Sequence, residues 1–228
     1  MHEEKHFESS DVVKDIVIGM ADGLTVPFAL AAGLSAAIDS NAIVITAGIA
    51  EIIAGSIAMG LGGYLAGKTD ADHYNSELKR EHDEVEHLPD KEKQEIKEVL
   101  AGYGITAETQ NRVAEELALD KNKWVNFMMK FELGLEEPKP KRARQSAINI
   151  AVSYVVGGMI PLSAYFFTSH PHEGLIFSSA ITLVALLAFG FFKAKVTGQP
   201  VWQGAYRTAF IGALAAGAAF FIARIISS

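Results

Sequence analysis

The sequence predicts an all-α integral membrane protein with five transmembrane helices and a helical cytoplasmic domain inserted between spans 2 and 3. Half of the residues are hydrophobic and the mean hydropathy is +0.20, yet 21% are charged, which indicates separate apolar and polar blocks. The apolar blocks are 19 to 27 residues long, enough to cross a hydrocarbon layer about 30 Å thick. The long polar block between them has helical spacing.

Five apolar stretches are the predicted spans: Val12–Ile38, Ala42–Ala66, Ser146–Thr168, Gly174–Phe192 and Gly204–Ile226. The first is not expected to be a cleaved signal peptide, because acidic residues precede it and no small-residue cleavage site follows a short apolar core. We therefore expect a tail (1–10), spans 1 and 2 (11–66), a polar helical domain (67–145) and spans 3 to 5 (146–228).

The orientation is predicted from lysine and arginine, which accumulate in short cytoplasmic loops. The loops after spans 1 and 3, residues 39–41 and 169–173, contain neither. The opposite side carries Lys14, the cluster 139–144, Lys193, Lys195 and Arg207. We therefore expect the N-terminus and the 67–145 domain in the cytoplasm and the C-terminus on the opposite side, with Arg224 as the one exception.

Composition excludes cysteine chemistry and argues against nucleic-acid binding. The chain has no cysteine, so neither disulfides nor thiolate metal sites can form, and any metal must be held by oxygen, imidazole or thioether. The net charge of −7 argues against a nucleic-acid partner, which normally requires a basic face.

The polar block predicts four helices. They are Asp70–His87, Lys91–Leu100, a third from Thr106 to Leu119, and a fourth over Asp120–Leu135. Pro89 separates the first two, and Gly102 and Gly104 separate the next two. The fourth carries an apolar stripe that can pack on the other helices or lie on the membrane surface.

Two acidic residues lie inside predicted spans, Asp22 in the first and Glu51 in the second, which also contains Met59. A charge near a bilayer centre costs roughly 2.5 to 3.5 kcal/mol on insertion scales, so an intramembrane acid is a candidate functional residue. A metal ion or a proton can supply the missing positive charge. The alternative is that these residues hold helices together by hydrogen bonding.

Acidic residues also cluster in the polar block. His73, Glu77, Glu81 and Glu84 share one helical face, and Glu92 and Glu95 are neighbours on the next helix. One interpretation is an ordinary salt-bridged surface, since lysine and arginine lie nearby. The other is a metal site. Carboxylates combined with Met128, Met129 and Glu132 would suit Fe(II), Mn(II) or Co(II) better than Mg(II) or Ca(II), although methionines at helical spacing are more often core residues.

Several motifs resemble the vacuolar iron transporter family. They are the run DGLTVPFALAAGLS from Asp22, Glu51 followed by SIAMG at 56–60, the segments 72–74 and 77–81, and FMMKFELGL at 127–135. The resemblance covers nearly the whole chain from about Asp11. It implies a five-span homodimer, not an enzyme, that exchanges cytosolic Fe2+, and often Mn2+, for protons across the lipid bilayer.

The resemblance also implies two sets of site residues. The transport pathway would contain Asp22, Glu51 and Met59. The metal-binding residues of the cytoplasmic domain would be Glu81, Glu84, Glu92, Glu95, Glu132, Met128 and Met129. No resident cofactor is expected, because Fe2+, Mn2+ or Co2+ would be transported and bound ions.

Two other functions remain open at this point. One is a cation channel in which the acids form a selectivity ring without proton coupling. The other is a membrane-anchored iron-binding or ferroxidase protein whose polar domain carries the function. A compact chain without extensions favours a prokaryotic plasma membrane over a vacuolar membrane.

Overall fold

The computed structural model describes residues 10–227, and all regular secondary structure in this range is helical. The helices are α1 (Ser10–Ala37), α2 (Asn41–His87), α3 (Pro89–Gly102), α4 (Ala107–Ala118), α5 (Lys121–Phe127), α6 (Arg142–Ser163), α7 (Pro171–Val196) and α8 (Val201–Ile226). A π-helical turn, Met128–Glu132, continues α5, and a 3-10 turn, Ala164–Phe167, continues α6. Apart from Ser10, the predicted tail lies outside the described residues.

Five helices are long and apolar enough to cross a membrane, which confirms the five predicted spans. They cover Asp11–Ala37, Asn41–His87, Arg142–Phe167, Pro171–Val196 and Val201–Ile226. Large apolar side chains on these helices point outward, among them Ile57, Phe177 and Phe210, each more than half exposed. Apolar surface of this extent is unfavourable in water and is solvated by lipid.

Helix α2 differs from its predicted form. The sequence suggested a span ending at Ala66 and a separate helix from Asp70, whereas the structure has one continuous helix of 47 residues. No proline interrupts it. The ion pair of Lys68 Nζ with Asp72 Oδ1, at 2.7 Å and four residues apart, supports the helix across the expected break.

The fourth predicted helix of the polar block is also shorter and less regular than expected. Asp120 caps α5 by accepting hydrogen bonds from the backbone N–H groups of Asn122 and Lys123, at 3.1 and 3.3 Å. The chain then widens into the π-helical turn. Gly134, with φ of +65°, ends the turn in a conformation that favours glycine.

The described chain forms two compact units. The membrane unit contains residues up to Leu65 and from Ala143 onward, and the inserted unit contains Ala66–Arg142. In the membrane unit α1 packs against α7 and α8 and also closely against α6. A Cβ atom at Gly19 of α1 would lie only 2.9 Å from the Cβ of Ser153 on α6, so glycine lets the two helices approach this closely.

A buried acid that the sequence analysis missed links α1 to α6. Asp15 is 2% exposed. Its Oδ1 accepts a hydrogen bond from Ser146 Oγ at 2.8 Å, and its Oδ2 accepts one from Asn149 Nδ2 at 3.3 Å. Its position near the start of the predicted span hid it, because acids at span ends are normally solvated.

The inserted unit folds around its own apolar core. Side chains from all of its helices contribute, with Ile96, Ala114 and Met128 fully buried. Trp124 and Val125 of α5 belong to the same core. Most of the apolar stripe of the fourth predicted helix therefore packs inward against the other helices, whereas Phe131 of the same stripe is 48% exposed.

Substitution of Asp15 by alanine is expected to destabilise the chain by about 1 to 3 kcal/mol, because it leaves the Ser146 hydroxyl and the Asn149 amide without their acceptor. Thermal unfolding of the purified protein in detergent measures this loss. Asp39→Ala, in the exposed loop after α1, is the control and should leave the melting temperature unchanged. Equal melting temperatures for both variants would contradict a structural role for Asp15.

Candidate functional site

Three carboxylates converge in the inserted unit. Glu81 of α2, Glu92 of α3 and Glu132 of the π-helical turn each place one oxygen within 4.8 Å of the others. Glu81 and Glu92 are 1% and 0% exposed, whereas Glu132 is exposed and lies on the open side of the group. We call these three residues the carboxylate cluster. Its geometry can hold one cation between oxygens from three separate segments.

The cluster follows from how the core of the inserted unit is packed. Each carboxylate lies four residues from a buried apolar residue, and therefore on nearly the same helical face. The pairs are Val85 with Glu81, Ile96 with Glu92, and Met128 with Glu132. Packing the three apolar residues together brings the three acids together at the edge of the core.

Several carboxylate oxygens in the cluster have no hydrogen-bond donor. Within residues 10–227, Glu81 Oε2 and both oxygens of Glu92 are buried and have no hydrogen-bond partner. A buried carboxylate costs several kcal/mol unless a proton, a metal or another cation compensates it. The negative charge of the cluster therefore requires a compensating positive charge, and the described protein atoms supply only part of it.

Basic side chains at the rim supply that partial compensation. Lys91 Nζ lies 2.9 Å from Glu95 Oε1 and 3.8 Å from Glu92 Oε1. Arg80 lies 3.6 Å from Glu81 and also pairs with Glu84 at 3.8 Å. The predicted salt-bridged surface therefore exists, but both cations are about half exposed. These surface ion pairs surround the buried carboxylates but do not neutralise all of them.

Two acids of the cluster have pKa values that are raised to near neutral pH. Burial, with added repulsion from Glu95 and Glu81, raises the pKa of Glu92 to about 8. Glu132 is more exposed, but partial burial of its carboxylate, with repulsion from Glu95 and Glu81, raises its pKa to about 7, although Lys91 opposes this shift. Carboxyl groups that are protonated at pH 7 release their protons when a divalent cation binds to them.

The structure brings together all five predicted glutamates of the inserted unit, because Arg80 pairs with both Glu81 and Glu84, and Lys91 pairs with both Glu92 and Glu95. It places the two predicted methionine ligands differently. Met128 and Met129 are 0% and 2% exposed and belong to the apolar core. A role for their thioethers in binding metal stays a prediction.

The membrane unit contains a second acidic site. Glu51 of α2 is half-buried, and its Oε1 accepts a short hydrogen bond from the hydroxyl of Tyr154 on α6. Glu51 Oε2 is buried and has no hydrogen-bond partner among the described residues. The Tyr154 ring fits because residue 55 of α2 is glycine: a Cβ atom there would lie 2.5 Å from the ring carbon Cζ.

Asp22 lies close to the same tyrosine. It is half-buried on α1, and the next residue, Gly23, packs against the backbone of Tyr154, where a Cβ atom on residue 23 would lie 2.9 Å from the Tyr154 Cα. The structure therefore groups Asp22, Glu51 and Tyr154. Met59, the third predicted pathway residue, is half-buried two turns beyond Glu51 on α2.

Sequence reasoning missed Tyr154, although one signal was present. Tyrosines in membrane helices usually lie near the span ends, at the lipid–water interface. Tyr154 instead lies well inside the predicted span Ser146–Thr168 and is 2% exposed. A buried tyrosine hydroxyl normally has a partner, which here is Glu51.

Comparison with known proteins identifies the family. The model of the VIT family matches residues 13–224. The chain belongs to the VIT family. Its relatives in this family include vacuolar iron transporter 1 of Tulipa gesneriana, which is 53% identical over 227 residues, covering 100% of this chain and 92% of that protein. Vacuolar iron transporter 1 of Arabidopsis thaliana is 52% identical over 225 residues, covering 99% and 90%.

A more distant VIT-family relative is protein CCC1 of Saccharomyces cerevisiae, 38% identical over 231 residues, covering 96% of this chain and 71% of that protein. These matches confirm the family resemblance found in the motifs. They go against one expectation. The plant relatives are named as vacuolar transporters, so the preference for a prokaryotic plasma membrane, which rested only on the absence of extensions, is withdrawn.

Metal binding by the carboxylate cluster is predicted to strengthen as the pH rises from 6 to 8, because the metal must displace protons from Glu92 and Glu132. Calorimetric titration of the full chain with Co2+, in a background with Asp22→Asn and Glu51→Gln, should show an affinity at least about tenfold higher at pH 8 than at pH 6. Proton release at pH 7 should appear as a dependence of the enthalpy on the buffer.

The variant Glu92→Gln should weaken binding and lower the number of protons released. Glu98→Gln, exposed on the same helix, is its control and should bind as the parent protein does. An affinity that is independent of pH would contradict proton displacement at the cluster.

Proposed function

We propose that the chain transports divalent iron, and also Mn2+, out of the cytosol in exchange for protons, through a pathway that contains Asp22, Glu51 and Met59. Membership of a family whose relatives are named as iron transporters supports the iron substrate. The observation that carries the mechanism is the environment of Glu51, an acid inside a membrane span. One of its oxygens is buried without a donor, and the other accepts a hydrogen bond from Tyr154, whose backbone packs against the residue after Asp22.

The proposed mechanism is competition between metal and protons for the same carboxylates. An acid in a low-dielectric pathway is costly as an unpaired anion, so it carries either a proton or a metal ion. Arrival of Fe2+ from the cytosol displaces the protons, and protons from the opposite side displace the metal. Met59 would add a soft ligand that disfavours Ca2+ and Mg2+.

The proposed orientation places the N-terminus and the inserted unit in the cytosol. The predicted cytosolic loops and span ends carry the basic cluster at 139–144, Lys193 and Lys195, whereas the loops on the other side contain no lysine or arginine. In this orientation the carboxylate cluster binds cytosolic metal. We also propose that the chain acts as a homodimer, on the strength of the family resemblance.

One observation favours a second candidate function. The carboxylate cluster could bind iron whether or not the membrane unit transports it, as in a membrane-anchored iron-binding protein. Transport assays on the intramembrane acids separate the two functions, because an anchored binding protein needs neither Asp22 nor Glu51.

Asp22→Asn and Glu51→Gln should each abolish Mn2+ and Fe2+ entry into proteoliposomes, because a neutral amide cannot exchange a proton for a metal. Uptake is followed with a metal-sensitive dye inside the vesicles. Asp39→Asn, in the exposed loop after α1, should transport like the wild type. Metal bound by the protein without entry would favour the anchored binding protein, and unchanged entry in both variants would contradict the pathway.

Tyr154→Phe should reduce transport by about tenfold, the cost of losing one hydrogen bond to a charged group. Without its donor, Glu51 is no longer held in place, so we expect a change in the pH dependence of uptake as well as in its rate. Tyr165→Phe is the matched control, because Tyr165 is also buried but hydrogen-bonds to Ser35 rather than to an acid. The same loss in both variants would indicate general destabilisation instead.

A further inference from the structure

A polar pocket lies where α7 and α8 meet, and no residue of either acidic site lines it. Its volume is about 400 Å3, within the range of small-ligand sites. Its polar lining residues are Lys193, Thr197, Gln199, Gln203, Arg207 and Thr208. We call it the α7–α8 pocket.

Close contact between the two helices forms one wall of the pocket. A Cβ atom at Gly190 would lie 2.7 Å from the carbonyl oxygen of Gly204, and one at Gly204 would lie 2.5 Å from the Cβ of Ala194. Glycine at both positions therefore lets the helix backbones touch. The longer side chains of Lys193 and Arg207 line the pocket beside this contact.

The pocket has hydrogen-bond donors and positive charge without a matching acid. No aspartate or glutamate follows Glu173 in the sequence. Among residues 10–227, no carboxylate forms an ion pair with Lys193 or Arg207. The carboxamides of Gln199 and Gln203 add neutral donors. Such a lining is complementary to an anion with several acceptor oxygens.

The two threonines of the lining contribute less. Thr197 Oγ1 donates to the carbonyl oxygen of Lys193 at 2.9 Å, and Thr208 Oγ1 donates to that of Gly204, also at 2.9 Å. Their hydroxyl protons are therefore used within their own helices. The two cations and the two carboxamides are the donors left for a ligand.

Aromatic side chains place the pocket at the level of lipid headgroups. Trp202 and Tyr206 at the start of α8 stack with their ring centres 6.3 Å apart, and Phe191 packs against Trp202 at 5.6 Å. Trp202 and Tyr206 are exposed. Exposed tryptophan and tyrosine at the end of a membrane helix are typical of the interface between lipid and water.

We propose that the α7–α8 pocket binds the phosphate group of an anionic phospholipid, with Lys193 and Arg207 as its charged ligands. Basic pockets between membrane helices are suited to such headgroups. A lipid is favoured over free phosphate because the lining also includes Ile211, an exposed apolar residue one turn beyond Arg207 on α8. Acyl chains can continue along this apolar face while the phosphate stays with the two cations.

Native mass spectrometry of the full chain, titrated with dioleoyl phosphatidylglycerol, tests the proposal. Dioleoyl phosphatidylcholine is the zwitterionic comparison and should bind more weakly. The double variant Lys193→Gln with Arg207→Gln should lose about tenfold or more in affinity for phosphatidylglycerol, because it removes both charge-assisted hydrogen bonds to the phosphate. Its unfolding temperature without added lipid should match the wild type, because both side chains are exposed.

Lys195→Gln is the matched control. Lys195 carries the same charge near the same helix end but does not line the pocket, so its loss should change the affinity by less than about threefold. Equal losses in the control and the double variant would overturn the proposal in favour of diffuse attraction to charge. Unchanged affinity in the double variant would also overturn it. Displacement of the lipid by millimolar inorganic phosphate would assign the pocket to a free anion instead.

Discussion

Both acidic sites depend on one constraint: the fold buries carboxylates without giving every carboxylate oxygen a hydrogen-bond partner. Glu92 in the inserted unit and Glu51 in the membrane unit each keep a buried oxygen with no donor among the described residues. An unpaired anion in such a place is strongly disfavoured. A proton or a divalent cation satisfies it, and competition between the two is the chemistry that we propose for this chain.

The packing around these acids is what keeps them in place. In the inserted unit the acids lie one turn from core residues such as Ile96, so the apolar core determines their separation. In the membrane unit, Gly55 leaves room for Tyr154, which in turn holds Glu51. Asp15 shows the contrast, because its two oxygens are both hydrogen-bonded by α6. A satisfied acid of that kind joins helices, whereas an unsatisfied one can exchange ions.

The sequence predicted the features that depend on residue type and local period. Runs of apolar residues located the five spans, and acids inside those runs indicated the intramembrane site. The sequence did not reveal that Tyr154 meets Glu51, because that contact joins residues far apart in the chain and depends on the absence of a side chain at Gly55. The uninterrupted course of α2 was missed because the change from apolar to charged residues indicated the end of a helix, although no proline marks a break there. The π-helical turn after α5 was likewise missed, since nothing in local spacing distinguishes it from an α-helix.

The central claim is that metal and protons compete for the same intramembrane acids and therefore move in opposite directions. The most direct test is metal movement across proteoliposomes with an imposed pH gradient, while potassium and valinomycin hold the membrane potential at zero. The account predicts that Mn2+ accumulates on the acidic side against its own concentration gradient, and that it stops when the pH gradient is removed with nigericin. Flux that only follows the Mn2+ gradient, with or without a pH difference, would contradict it and indicate a channel.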